Sequence, residues 1–190
     1  VKKIAFAVTG SFCTFSKIPP VLEALAREYE VTPVFSRVTA TLDTRFGKAS
    51  DFREKVAAVC GREPLTELTE VEPIGPRRLF DAVVVAPCTG SALSALAAGS
   101  SATAVTLACK AQLRNGGPVL LAVSSNDALS GNAKNLGELL ARRGYFFVPF
   151  RQDDPQGKPA SLVADFSLVP EALAAALEGR QLQPLLLGAQ

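Results

Sequence analysis

The sequence predicts a three-layer α/β domain, a doubly wound parallel sheet with helices on both faces. Three observations carry that expectation. Short, wholly apolar runs such as Ala-Val-Val-Val-Ala at 82–86 recur along the chain, as suits strands buried on both faces. Segments with apolar residues at helical spacing alternate with them, which implies right-handed βαβ units. Several of the apolar runs end at a small polar or Gly-containing loop, and in such sheets the ligand crevice lies outside the carboxyl ends of the strands.

The elements follow in order. Residues 3–8 (Lys-Ile-Ala-Phe-Ala-Val) form the first expected strand, stopped by Thr9-Gly10. Residues 16–29 place Ile18, Val21, Leu22 and Leu25 at helical spacing. Pro19 and Pro20 fit the first turn, where a missing N–H costs little. Residues 31–36 read as a second strand. Residues 49–60 carry Phe52, Val56 and Val59 on one helical face, with Gly61 as a C-terminal stop. The strand at 82–86 is entered from Asp81 and left at Pro87. Residues 91–113, rich in Ala and Ser, are expected as two helices broken near Gly99-Ser100-Ser101. A strand at 119–123, a helix at 134–143, a strand at 145–148 and a helix at 170–177 complete the pattern. The irregular sequence falls between residues 36 and 55 and again at 150–158. One domain over 1–190 is expected.

Composition narrows the function. The chain has 190 residues, 48% hydrophobic and 20% charged, an ordinary globular balance with enough length for a real core. A net charge of +2 sets up no field that favours nucleic acid. No apolar run reaches the roughly 18 residues of a membrane span. Lys2 and Lys3 precede an apolar run too short for a secretory signal, so a cytoplasmic protein is expected. Cys13, Cys60, Cys88 and Cys109 match no zinc spacing and call for no disulfide framework. Histidine is absent. That removes His-ligated metals, catalytic triads and His acid/base chemistry. Chemistry must then come from a cofactor, from hydroxyl, thiol, cationic or carboxylate side chains, or from a partner chain, and no metal site is expected.

The strand-end loops hold the candidate ligand residues. Thr9-Gly10-Ser11 permits a tight turn, aims N–H groups outward and adds a hydroxyl, which suits an anion near a helix N-terminus. Its other reading is a plain βα turn with an N-cap. Ser36-Arg37 follows the second strand. In Pro87-Cys88-Thr89-Gly90-Ser91 the proline ends the strand, and Thr89 and Ser91 either cap a helix or face a ligand. Cys88 reads as a nucleophile or as a buried inert thiol, and the lack of a His to activate it favours the second. Ser124 and Ser125, before Asn126-Asp127, serve a ligand or an Asx-turn. Because G-x-G-x-x-G is missing, a monophosphate is expected rather than a dinucleotide. The loop at 43–48 brings Arg45 and Lys48 together. They could bind a small dicarboxylate substrate, or simply be solvated. Residues 151–159 form a lid or an ordinary crossover, and the small side chains of 92–111 serve helix packing or an interface between subunits.

These residues carry a resemblance. The string at 83–101 is similar to the central motif of the flavoprotein family, which includes flavin prenyltransferases, phosphopantothenoylcysteine decarboxylases and peptidyl-cysteine decarboxylases. Thr9-Gly10-Ser11 resembles its first loop, and Ser124-Ser125 its later flavin-lining stretch. The segments at 43–48, 125–129, 146–150, 152–155 and 177–184 resemble one branch, the B subunits of dipicolinate synthases. The resemblance implies a Rossmann-like or flavodoxin-like fold and FMN held at the boundaries between subunits in trimers or dodecamers. It also implies a partner A subunit carrying NAD(P), and oxidation of a hydroxy-tetrahydrodipicolinate to dipicolinate in the mother cell of a sporulating bacterium. The cofactor residues it implies are Thr9, Gly10, Ser11, Ser36, Pro87, Cys88, Thr89, Ser91, Ser124 and Ser125, with Arg45 and Lys48 for substrate carboxylates. Two departures stand out: the decarboxylases use a histidine that this chain lacks, and Phe12 replaces an expected polar residue. Two other functions stay open, a non-catalytic assembly subunit with a vestigial flavin pocket and a stand-alone FMN-dependent prenyltransferase- or decarboxylase-like enzyme.

Overall fold

The computed structural model describes residues 1–188; positions 189 and 190 of the expected domain lie outside the described residues. The first half runs β1 (Lys3–Val8), a 3-10 turn (Phe12–Lys17), α1 (Ile18–Ala26), β2 (Glu30–Phe35), α2 (Arg37–Thr41), α3 (Ala49–Cys60), α4 (Leu68–Val71) and α5 (Ile74–Arg77). Then come β3 (Ala82–Cys88), α6 (Gly90–Ala97), α7 (Ala104–Arg114), β4 (Val119–Ser125), α8 (Ala133–Ala141) and β5 (Tyr145–Phe147). The chain goes on through β6 (Phe150–Arg151), β7 (Leu162–Ala164), a second 3-10 turn (Phe166–Leu168) and α9 (Val169–Leu177).

Strands β2, β1, β3, β4 and β5 pair in parallel in that spatial order. All seven residues of β3 are buried, as the apolar run at 82–86 requires. Val83, Val84 and Val85 are wholly buried, each burial stabilising by roughly 1.5–3 kcal/mol. Pro33 is tolerated because β2 lies at the sheet edge. Past it, the Leu65 N–H donates to the Pro33 carbonyl (2.9 Å) and the Phe35 N–H to the Leu65 carbonyl (2.8 Å).

The helices follow the sequence pattern. Helix α1 buries Ile18, Val21, Leu22 and Leu25, with prolines in its first turn. Helix α3 ends on Gly61 in the left-handed region. The expected break falls between α6 and α7, where Gly99 has φ +72° and Thr103 opens α7 with a capping box.

Three segments differ from the sequence reading. The stretch after Ser36, expected as irregular, holds α2, because the Ser36 side chain accepts the Thr39 N–H and caps it. Two single-turn helices, α4 and α5, occupy a stretch given no element; at four residues each they are too short for periodicity to reveal. Residues 150–151, expected as loop, form β6. It pairs with β7, which pairs antiparallel with the carboxyl end of β4 through Ser124–Val163 and Ser125–Leu162. One edge of β4 is thus shared, with β5 against residues 119–121 and β7 against 124–125.

From β1 the chain crosses to β2 on one side, then returns to β3 on the other. The switch point therefore opens between β1 and β3, at the carboxyl ends of the strands. The β6–β7 pair extends the sheet past that point and walls one side of it.

Candidate functional site

Thr9 ties the two switch-point strands together. Its hydroxyl donates to the Pro87 carbonyl at 2.6 Å and accepts the Thr89 N–H at 3.2 Å. The side chain is buried, so both bonds form away from competing water. They set the β1 and β3 loops side by side. On β2's side, the Ser36 N–H and the Thr39 hydroxyl both donate to the Val8 carbonyl, each at 3.0 Å. Ser36 thereby sits against the end of β1.

Thr89 caps α6 by accepting the Ala92 N–H at 3.2 Å. Among the described residues, the N–H groups of Gly10, Gly90 and Ser91 have no hydrogen-bond acceptor, which leaves donors at the mouth of the switch point for an anionic ligand. Gly90 is there for space. A Cβ at this position would lie 2.7 Å from Asn132 Nδ2 and 2.8 Å from both Asp127 Oδ1 and Ser125 Oγ. Those three groups are themselves bonded. The Ser125 hydroxyl donates to Asp127 at 2.6 Å, and the Asn132 amide donates to both carboxylate oxygens at 3.0 and 2.9 Å. The Ser125 hydroxyl first, and then the Asn132 amide, hold the Asp127 carboxyl below its usual range. It therefore stays ionised near neutral pH and accepts hydrogen bonds.

The crevice has two lobes. The first, of about 620 Å³, runs from Thr9, Gly10, Ser36 and Arg37 past Thr89 and Ser91 to Ser125, Asp127 and Asn132. The second, of about 810 Å³, is lined by Ser11, Lys17, Arg45, Ser124, Lys158 and the β7 wall. Gly10, Thr89, Gly90, Ser125 and Asn126 border both. The lobes meet along these shared residues, and each falls within the roughly 300–1,000 Å³ of small-molecule sites. The Ser11 and Ser124 hydroxyls join at 2.8 Å on the second lobe's wall.

Most of the residues read from sequence come together here: Thr9, Gly10, Ser11, Ser36, Thr89, Ser91, Ser124 and Ser125 all line the crevice. Pro87 and Cys88 do not. Both are buried within β3, so Pro87 acts through its carbonyl on Thr9 and Cys88 packs in the core. Burial, with the neighbouring Cys109 thiol second, pushes the Cys88 pKa far above its ordinary value. That leaves no thiolate to act as nucleophile. Arg45 and Lys48 part company: Arg45 lines the second lobe, whereas Lys48 lines a neighbouring hollow with Phe52 that meets the lobe along Phe12, Cys13 and Phe46.

Sequence reasoning missed Gly90 as a spacer and Asp127 as the anchor of Ser125, although both lie in loops it noted. It also missed Asn132 and Lys17, and it noted Arg37 and Lys158 only as members of their loops. Asn132 carries no motif, since only the fold of the loop after β4 brings it under α6. Arg37 directly follows Ser36, and that adjacency was the available signal.

With this geometry in view, the comparisons fix the class. The chain belongs to the Flavoprotein family, whose profile matches residues 1–167. Within that class it is similar to the B subunit of dipicolinate synthase from Bacillus subtilis (strain 168), with 41% identity over 97% of this chain and 93% of that protein. The crystal structure of the corresponding dipicolinate synthase chain from Bacillus halodurans superposes with a TM-score of 0.91 at 38% identity, covering 100% of this chain and 97% of that one. The FMN-dependent cysteine decarboxylase SpaF shares the fold, with a TM-score of 0.68 at 22% identity over 93% of this chain and 95% of its own.

The first lobe fits FMN by its chemistry. Unpaired N–H groups, the Ser36 and Ser91 hydroxyls and the Arg37 guanidinium suit a phosphate. The Asp127 carboxylate suits a ligand with O–H or N–H donors.

Proposed function

We propose that this chain acts as the B-type subunit of a two-chain dipicolinate synthase, holding FMN in the first lobe and the substrate in the second. The observation that carries the reading is 41% identity to the B subunit of a dipicolinate synthase along 97% of the chain. A partner A subunit carrying NAD(P) completes the enzyme, in the cytoplasm of a sporulating mother cell. The overall change is loss of water and of two hydrogens from a hydroxy-tetrahydrodipicolinate, giving the aromatic dicarboxylate. When bound, FMN supplies reversible two-electron chemistry. On this reading, Ser36 and Arg37 hold its phosphate with the N–H groups of Gly10, Gly90 and Ser91, while Thr9 fixes the spacing of the two loops. Asp127 orients Ser125 and Asn132 toward the ligand. With no histidine in the chain, proton transfer falls to water, a carboxylate or the A subunit. The chain works as a homo-oligomer, a trimer or dodecamer, which light scattering on the purified protein tests.

The test is to titrate FMN into the purified chain and follow quenching of flavin fluorescence. Saturable binding that is weakened in Ser36→Ala and Arg37→Gln supports the reading; a chain that never takes up FMN refutes its cofactor part. One observation favours a second reading, an assembly subunit whose pocket does no chemistry: the titratable side chains of the first lobe are Arg37 and a carboxylate held ionised. Filling the lobe with Gly10→Trp separates the two, since unchanged activity of the two-chain mixture means scaffolding.

A further inference from the structure

We propose that the second lobe is a dicarboxylate subsite in which Lys17 and Arg45, from two different loops, each receive one carboxylate. The inference rests on the proposed function and adds to it the residues that select a doubly charged ligand.

The charges in this lobe are lopsided. Its wall contains three cations, Lys17, Arg45 and Lys158, against one carboxylate, Asp153. That carboxylate is already taken, since Lys158 Nζ lies 3.8 Å from Asp153 Oδ2. Among the described residues, neither Lys17 nor Arg45 has a carboxylate partner. Two cations without a carboxylate partner therefore border one cavity, Lys17 from the edge it shares with the adjoining hollow of Asp165 and Phe166, in a chain whose net charge is only +2. A dianion matches that imbalance, whereas a neutral or singly charged ligand leaves at least one cation unpaired.

The two cations are positioned by their surroundings. Arg45 lies over the Phe46 ring at 4.9 Å, which orients the guanidinium while its N–H fork stays free for a carboxylate. Lys17 ends the 3-10 turn after β1 and stands 5.8 Å from the centroid of the Phe166 ring, which belongs to the adjoining hollow, so its flexible stem has to swing toward the lobe to meet a carboxylate there. The same lobe is lined by the bonded Ser11 and Ser124 hydroxyls and the buried Ser161, which offer polar contacts to a ring heteroatom or hydroxyl. The lobe borders the first along Gly10, Thr89 and Gly90, so a ring seated here would lie beside a flavin seated there. Lys48 lines the neighbouring hollow, which meets this lobe along Phe12, Cys13 and Phe46, and does not itself line the lobe.

The experiment titrates dipicolinate, and separately its one-carboxylate analogue pyridine-2-carboxylate, into the FMN-saturated full-length chain by calorimetry. The variants are Lys17→Gln, Arg45→Gln and, as a charge-matched control outside both lobes, Lys110→Gln. Folding is checked by thermal melts and FMN affinity. The expected result is about tenfold weaker dipicolinate binding for each of the first two, with unchanged FMN affinity and no change for Lys110→Gln. The one-carboxylate ligand binds more weakly to the wild type and responds strongly to only one of the two substitutions. Equal dipicolinate affinity in all variants, or no dipicolinate binding by an FMN-loaded wild type, overturns the subsite while leaving the FMN reading intact. Failure of the wild type to bind FMN in the first titration marks failure of the underlying reading instead.

Discussion

Gly90→Ala probes the site's construction most sharply. The position does not need glycine for its backbone, since Gly90 is not among the residues with positive φ. On helix propensity alone, alanine would gain up to about 1 kcal/mol. Against that, the new Cβ would meet Asn132 Nδ2, Asp127 Oδ1 and Ser125 Oγ at 2.7–2.8 Å. All three are pinned to one another by bonds of 2.6–3.0 Å, so none can yield without breaking the network. Overpacking of this kind costs roughly 1–3 kcal/mol, leaving a net loss of about 0–2 kcal/mol once the full propensity gain is subtracted. For a chain of this length that lowers Tm by up to about 8 °C. FMN affinity should fall by about tenfold, because Ser125 and Asn132 leave the cleft wall. Gly10→Ala provides the contrast. Its Cβ would find Phe12 and Val38 at an ordinary 3.5 Å, so Tm should hold while FMN binding weakens. Circular dichroism melts and flavin fluorescence titrations read both quantities. A Gly90→Ala protein with wild-type Tm and wild-type FMN affinity would refute the reasoning.

Other expectations follow from the same contacts. Thr9→Val, which keeps the shape but removes two buried hydrogen bonds, should cost about 1–3 kcal/mol by urea unfolding, and Thr9→Ser should restore most of it. Because the folded Asp127 carboxyl titrates below its usual range, its contribution is present above the unfolded value near about pH 3.9. It is lost as pH falls through the lower folded value. The Tm gap between wild type and Asp127→Asn should therefore close below about pH 4. Iodoacetamide on the native protein should label exposed Cys13 first and Cys60, pushed by burial to about 11, more slowly. Cys88 and Cys109 should react only after unfolding, and Cys88→Ala should retain FMN binding; loss of binding would return Cys88 to the site.

The sheet was legible because its signals are local. The runs at 3–8, 82–86 and 119–123 are apolar throughout most of their length, and Thr9, Pro87 and Ser124 mark where each apolar run ends. The family resemblance rested on the string at 83–101, with Thr9-Gly10-Ser11 and Ser124-Ser125, and the family profile over residues 1–167 bears it out. Long-range placement was not legible. Nothing in the order Ser-Ser-Asn-Asp shows that Asp127 will reach Asn132 under Gly90. Arg45 and Lys48 lie three residues apart, yet the Thr44–Gly47 bridge turns the loop between them and leaves them lining different hollows. Lys17 and Lys158 meet one cavity only because β7 adds to the carboxyl end of β4, and two-residue β6 is too short to announce that pairing. Cys88 was misplaced as a wall residue because the strand runs two residues past the apolar stretch.

The most direct test of the two-chain account is a single assay of dipicolinate formation, with this chain alone, the A-type chain of a dipicolinate synthase alone, and the two mixed, each given NAD(P) and FMN. The account predicts product at a substantial rate only in the mixture. A full rate from either chain by itself would contradict it.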